Sequence, residues 1–168
     1  RQRAYAIYLL TRQGTVTTNY LASVQRRLEE AYAPQWKTDV TAAWLAASFQ
    51  QLHQDKQAAQ LIAGPLKQLT RTPADEPYSY DYYYDPVIRD ASVLYILAKH
   101  FPDRAKALPP QAVENLVRPI GKGHYNTLSS AMTILALDAW ATNAAGDLSK
   151  LTINEVAEIL ARGLKTSL

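Results

Sequence analysis

The sequence predicts an all-α chain that forms part of an α/α toroid, with antiparallel helical hairpins placing apolar helices inside and amphipathic helices outside. Three observations lead to this prediction. Apolar and amphipathic segments alternate along the 168 residues. The apolar segments recur at a spacing that suits one helical hairpin per interval. No segment shows the sustained apolar–polar alternation that is typical of a strand.

The predicted inner helices are four apolar stretches, each starting with alanine and continuing with bulkier residues. The starting alanines are separated by 38, 49 and 40 residues, and an inserted loop around residues 70–84 accounts for the longer middle interval. Helices that are apolar nearly all round are buried on both sides. The inner layer is therefore expected to consist of Ala4–Leu10, Ala42–Phe49, Ala91–Ala98 and Ala131–Trp140.

The predicted outer helices carry apolar residues on one face only, as helices that cover a surface do. Boundary residues agree with this alternation. Gly14 can end the first helix, and Asp85 can cap a helix that Pro86 starts. The outer helices are expected at Asn19–Tyr32, Asp55–Leu69, Gln111–Ile120 and Asn154–Leu164.

Composition narrows the possible classes of protein. The length fits one domain, 1–168, and 48% hydrophobic with 20% charged residues is ordinary globular usage. The formal charge of +3 is spread along the chain, so no nucleic-acid partner is expected. There is no cysteine for a disulfide, a thiol nucleophile or a zinc site. No apolar run approaches the roughly 20 residues of a membrane helix, so this segment is not expected to insert into a membrane.

The three histidines do not predict a metal site, because none has a ligand-type partner at the helical spacing of four residues. His53 and His100 are interpreted as partly exposed helix residues. His124 lies in the loop directly before an inner helix, where it either orients a nucleophile or fills a turn. No metal and no cofactor is expected.

A cluster of aspartates leaves an enzymatic alternative open. Asp81, Asp85 and Asp90 stand among tyrosines, and a carboxylate pair about 5 to 10 Å apart would suit a carbohydrate-active enzyme built on an α/α toroid. The structural interpretation is that Asp85 caps a helix and Asp90 pairs with Arg89 or a helix terminus.

Parallel inner helices would bring all the loops that precede them to one rim. Five of the 11 tyrosines fall within residues 78–84, which favours either an interface or a local satellite core. A helical-repeat interaction module with a concave binding surface is a further alternative. The residues expected at the rim are Trp36, Tyr82, Tyr83, Tyr84, His124, Tyr125 and Asn126.

Several sequence stretches resemble a known family. They read YYDP at 83–86 with RDA at 89–91, LYILAKHFP at 94–102, and YNTLSSA at 125–131 followed by TILAL at 133–137. These stretches, which belong to structural helices, resemble the thioester domain of bacterial alpha-2-macroglobulins. The resemblance implies a non-enzymatic part of a large periplasmic inhibitor, lipid-anchored to the inner membrane, that traps proteases through an internal Cys–Gln thioester.

The family's Cys-x-Glu-Gln motif is missing, since the chain has no cysteine. Either the chain is the C-terminal part of a thioester domain, downstream of the motif, or it belongs to a branch that lost the motif. The first explanation is expected, because a complete toroid of about six hairpins at roughly 40 residues each exceeds this length. The resemblance also implies that the motif opens an inner helix at the same rim. The rim aromatics would then keep water off the thioester or contact a neighbouring domain.

Overall fold

A computed structural model describes residues 1–71 and 85–144, with no side-chain description for residues 143 and 144. The described residues form eight α-helices and no strand, which confirms the all-α prediction. The predicted helix Asn154–Leu164 and the tyrosines Tyr82, Tyr83 and Tyr84 lie outside the described residues. The helices are α1 (Gln2–Arg12), α2 (Thr18–Tyr32), α3 (Val40–Gln51), α4 (Asp55–Leu69), α5 (Pro86–His100), α6 (Pro102–Lys106), α7 (Pro110–Gly121) and α8 (Thr127–Ala144), with a 3-10 turn at Gln35–Thr38.

Each apolar helix packs against the next apolar helix along the chain, and the amphipathic helices that lie between them in sequence are not part of this row. Helix α3 packs against α1 and α5, and α5 packs against α8. The amphipathic helices lie on this row: α2 contacts α1, α4 covers α3, and α7 contacts α5. The predicted alternation of inner and outer helices is therefore present in the described residues. Closure of the row into a ring remains a prediction.

Three side-chain contacts show that the inner helices run parallel. Arg1, which precedes α1, pairs with Asp39, the residue before α3. Asp85 before α5 accepts a hydrogen bond from Asn126, the residue before α8. At the other end, the Tyr8 hydroxyl of α1 lies 3.1 Å from Nε2 of His100, the last residue of α5. The amino ends of the inner helices therefore meet at one side of the molecule.

Burial differs between the middle and the ends of the row. Helices α3 and α5 are buried along almost their whole length. Helix α1 instead leaves Tyr5 and Leu10 each 45% exposed, and α8 leaves Ile134 67% and Leu135 52% exposed. In the described residues, α3 and α5 are therefore buried on both sides, whereas α1 and α8 each leave one face exposed. Among the described helices each has one inner neighbour, α3 for α1 and α5 for α8, so one apolar face stays in solvent.

The residues predicted to end or start helices lie where they were expected, but His53 does not. Gly14 follows α1 with a positive φ of 86°, and Pro86 stands at the first turn of α5 behind its cap Asp85. The prediction that His53 is a helix residue is wrong. It lies in the turn between α3 and α4 with a φ of 57°, exposed to solvent. His100 is a partly exposed helix residue, as expected.

The connection between α2 and α3 packs closely against α4 at Gly64. The backbone of the Gln35–Thr38 turn packs against α4, and a Cβ on Gly64 would overlap the carbonyl oxygen of Lys37. That obstacle is backbone, which cannot rotate away as a side chain does. A glycine in the middle of α4 therefore allows the turn and the helix to touch.

Gly64→Ala is expected to destabilise the protein by about 1–3 kcal/mol, because the added methyl group forces the turn away from α4. The measurement is the free energy of unfolding in urea. Gly121→Ala is the matched control: it is also helical and has no heavy atom within 4 Å of the added position. Its stability should be unchanged or slightly higher, and equal loss in both variants would contradict the close-approach explanation.

The burial of His100 should make stability depend on pH. Burial, helped by the charges of Arg12 and Lys99, lowers the pKa of His100 to about 4. The unfolded imidazole titrates near its usual pKa of about 6.5. Below pH 6.5 the unfolded state therefore takes up a proton that the folded state resists, and stability is lost as the pH falls toward 4.

In His100→Gln this contribution disappears, so the fall in unfolding free energy between pH 6.5 and 4 should be smaller than in the wild type. Thermal unfolding across that pH range measures the difference. His53→Asn removes an exposed histidine and keeps a residue that tolerates positive φ, so it should retain the wild-type pH dependence. An identical pH profile for His100→Gln and wild type would refute the assignment.

Candidate functional site

The amino ends of the inner helices form what we call the cap rim, defined by Arg1, Asp39, Asp85 and Asn126. Each of these residues directly precedes one of the inner helices α1, α3, α5 and α8. An aspartate or asparagine at this position accepts a hydrogen bond from a backbone N–H that has no partner within its helix. At the cap rim these polar side chains also contact each other from helix to helix.

Asp39 links the beginnings of α1 and α3. Its Oδ1 accepts a hydrogen bond from the Thr41 N–H at 2.8 Å, which caps α3. Its Oδ2 accepts from both Nε and Nη2 of Arg1, at 3.2 and 3.0 Å. One carboxylate therefore caps its own helix and holds the neighbouring inner helix. Arg1 is half exposed, so the ion pair contributes modestly to stability and more to position.

Asp85 and Asn126 link α5 and α8 in the same manner, but in a buried setting. Asp85 is 1% exposed, and its Oδ1 accepts from the Ile88 N–H at 2.7 Å. Its Oδ2 accepts from Nδ2 of Asn126 at 3.2 Å. Asn126 in turn accepts from the Ser129 N–H at 2.9 Å, while its own N–H donates to Ser129 Oγ at 2.8 Å. This reciprocal pair is a capping box at the start of α8.

Burial raises the pKa of Asp85 above its ordinary value, and the nearby charge of Asp90 acts in the same direction. The backbone N–H groups of Ile88 and Val87 oppose the increase by stabilising the carboxylate. The buried charge therefore opposes folding above that pKa, and this opposition is relieved as the pH falls through it. The Asn126 amide provides a neutral donor to the same carboxylate.

Asp90, one turn further along α5, also has structural partners. It is 4% exposed, and its oxygens accept from Arg89 Nε at 2.8 Å and from Arg71 Nη1 at 3.2 Å. Asn115 of α7 donates to the Arg71 carbonyl oxygen at 2.8 Å. Asp85 as a cap and Asp90 as an ion-pair partner agree with the structural interpretation of both residues. Asp81, the third aspartate of the enzymatic alternative, lies outside the described residues.

The expected rim residues occupy different environments. Trp36 is 4% exposed in the Gln35–Thr38 turn, so it is part of the core. Lys37 lies over its ring, 5.9 Å from the centroid, and pairs with Glu29 at 2.9 Å. His124 and Tyr125 are exposed in the loop before α8, where Tyr125 is 54% accessible.

Of the expected residues, Asn126 is the one that the described structure connects to a neighbouring inner helix, through Asp85. The gathering of Trp36 and the three tyrosines Tyr82, Tyr83 and Tyr84 at a common surface stays a prediction. The cap partners Arg1 and Asp39 were not among the expected residues. The sequence does indicate Asp39 as a helix cap, because this residue directly precedes an apolar segment, as Asp85 does.

Two further features bear on possible chemistry. The described residues contain no group of three or more side chains suited to holding a metal ion. None of the described helices combines the length and the apolar character needed to cross a membrane. The described part of the cap rim is a set of helix caps and ion pairs, which are groups that position helices.

The described fold is an all-α row of hairpins whose parallel inner helices are linked in two pairs at their caps. Comparison with known proteins gives its family. The chain is 41% identical over 159 residues to an alpha-2-macroglobulin homolog of Yersinia pestis, a match covering 95% of this chain and 8% of that protein. It is 42% identical over 155 residues to an alpha-2-macroglobulin of Pasteurella multocida, covering 91% and 8%. A Rickettsia conorii alpha-2-macroglobulin is 36% identical over 143 residues, covering 84% and 7%.

This chain is homologous to a segment of the bacterial alpha-2-macroglobulins, so the resemblance of its sequence stretches to that family is confirmed. It spans about 8% of the length of the first two relatives. No family model and no solved structure matches the chain.

The Asp85–Asn126 link can be tested by exchanging its two side chains. Asn126→Asp keeps an oxygen for the Ser129 N–H but places a second acceptor against Asp85 Oδ2. It should cost about 1–3 kcal/mol of unfolding free energy. The double variant Asp85→Asn with Asn126→Asp restores one donor and one acceptor, so it should recover most of that loss in urea unfolding.

Asp138→Asn is the control for this experiment, because Asp138 is an exposed residue of α8. Its stability should match the wild type within about 0.5 kcal/mol. A double variant as unstable as Asn126→Asp alone would show that the two side chains are not coupled.

Proposed function

We propose that this chain is the scaffold part of a bacterial alpha-2-macroglobulin-like inhibitor that traps proteases, and that it forms the C-terminal portion of the thioester domain. The observation that carries the proposal is the 41% identity to an alpha-2-macroglobulin homolog over 95% of the chain. The all-α row of hairpins with parallel inner helices agrees with the fold that the resemblance implies. Inhibition, rather than catalysis, is accordingly the proposed role.

The contribution of this chain would be structural, since it contains no cysteine for a thioester. A thioester survives only where water and amines are kept away from the acyl carbon. Two links tie neighbouring inner helices at the cap rim: Arg1 with Asp39, and Asp85 with Asn126. Fixed helix ends would hold the crevice that protects the reactive bond, while residues outside this chain provide the bond itself.

The proposal extends to partners and location. The partners would be the proteases that the whole protein captures and the neighbouring domains of the same polypeptide. The whole protein would act in the periplasm, anchored to the inner membrane by a lipid. These statements rest on the resemblance to bacterial alpha-2-macroglobulins. The 8% share of the relatives' length leaves most of such a protein outside this chain.

The test uses the full-length protein that contains this chain. Incubation with trypsin should give covalent protease conjugates that persist on a denaturing gel, and treatment with methylamine beforehand should abolish them by consuming the thioester. Trypsin held in this way should lose activity on large protein substrates. Absence of both conjugates and inhibition would overturn the proposal. Inhibition without conjugates would instead identify a member of the family that lacks the thioester.

The role of the rim can be measured in the same protein as the rate of spontaneous thioester hydrolysis. Asn126→Asp should accelerate hydrolysis, and the double variant with Asp85→Asn should restore the wild-type rate. Replacing Tyr82, Tyr83 and Tyr84 by Ala together should also accelerate hydrolysis if these rings exclude water. Asp138→Asn is the control and should leave the rate unchanged. Equal rates in all variants would contradict a protective role for the rim.

A further inference from the structure

We propose that a cleft between α1 and α2 binds a carboxylate carried on an aliphatic stem. The cleft has a volume of about 230 Å³ and is bounded by the first turn of α1, one face of α2 and the beginning of α3. Three arginines line it: Arg1 and Arg3 from one side and Arg27 from the other. This inference is independent of the proposed inhibitor function.

The charge of the cleft is strongly one-sided. None of the residues described as lining it is acidic. Asp39 pairs with Arg1 at 3.0 Å and also caps α3. For Arg3 and Arg27 the described part of the chain shows no ion pair. Arg3 and Arg27 therefore line one cavity from different helices, and an anion bound by both guanidinium groups would offset the repulsion between their charges.

Guanidinium groups select the geometry of the anion as well as its charge. Each presents N–H donors in a planar fork that matches the two oxygens of a carboxylate. The cleft adds the phenol of Tyr32, a further possible donor.

An apolar wall distinguishes the expected ligand from an inorganic anion. Val24 and Leu28, which are both partly buried, line the same cleft together with Ala4. A hydrated phosphate gains nothing from such a wall, whereas the methylene groups of a glutamate side chain or of a free dicarboxylic acid bury apolar surface there. The volume is enough for one such side chain. The shared chemistry is therefore an aliphatic carboxylate.

The experiment is isothermal titration of the full chain at low ionic strength with three probes: glutarate, the peptide acetyl-Leu-Glu-Leu-amide, and inorganic phosphate. Glutarate or the peptide should bind, and binding should weaken with added salt. Tighter binding of glutarate identifies a small acid as the source of the carboxylate, and tighter binding of the peptide identifies a polypeptide. Phosphate binding more tightly than both, or no binding of any probe, would overturn the proposal.

Variants locate the binding. Arg3→Gln and Arg27→Gln should each weaken binding roughly tenfold, the usual effect of removing one charged hydrogen-bond donor. Arg26→Gln is the matched control, since Arg26 is the exposed neighbour on α2 and does not line the cleft. It should bind like the wild type, and an equal loss in Arg26→Gln would mean that only net charge matters. Helix content by circular dichroism should be unchanged, because all three arginines are exposed.

Discussion

The positions of the inner helices depend on carboxylates that serve two helices at once. Asp39 and Asp85 each satisfy a backbone N–H at the start of their own helix. Asp39 also accepts from Arg1 before α1, and Asp85 accepts from Asn126 before α8. A free helix end leaves its first N–H groups to water. Using one oxygen for the cap and the other for the neighbour fixes the distance and the register between parallel helices, which apolar packing alone leaves loose. Asp85 provides this in a buried site, where the carboxylate must be compensated fully.

The alternation of apolar and amphipathic segments predicted most of the fold, because burial follows directly from hydrophobic pattern. The row α1, α3, α5 and α8 corresponds to the four stretches that begin with Ala4, Ala42, Ala91 and Ala131. The pattern does not specify which apolar residues, such as Tyr5 and Ile134, remain exposed, since exposure depends on how many neighbours a helix has. It also missed the short helix α6, whose five residues are too few to show a helical period.

The site was predicted less completely than the fold. Asp85 was recognisable as a cap from the following proline, and Asn126 from its place before an inner helix. The Asp85–Asn126 and Arg1–Asp39 contacts join residues 41 and 38 positions apart, and no local pattern reveals which loops meet. Trp36 lies in a loop, and no local pattern indicates that this loop packs against α4 at Gly64 or that the indole ring is buried.

The packing of each inner helix against the preceding inner helix has a consequence for how the polypeptide acquires its fold. Each newly synthesised inner helix packs against an inner helix that was synthesised about 40 residues earlier. At ordinary rates of translation the time between the two is short. Assembly can then proceed hairpin by hairpin. Each hairpin that docks covers the exposed apolar face of the preceding inner helix and exposes an apolar face of its own. The growing end of the row then exposes one apolar face at a time, which limits the surface that chaperones must shield at that end.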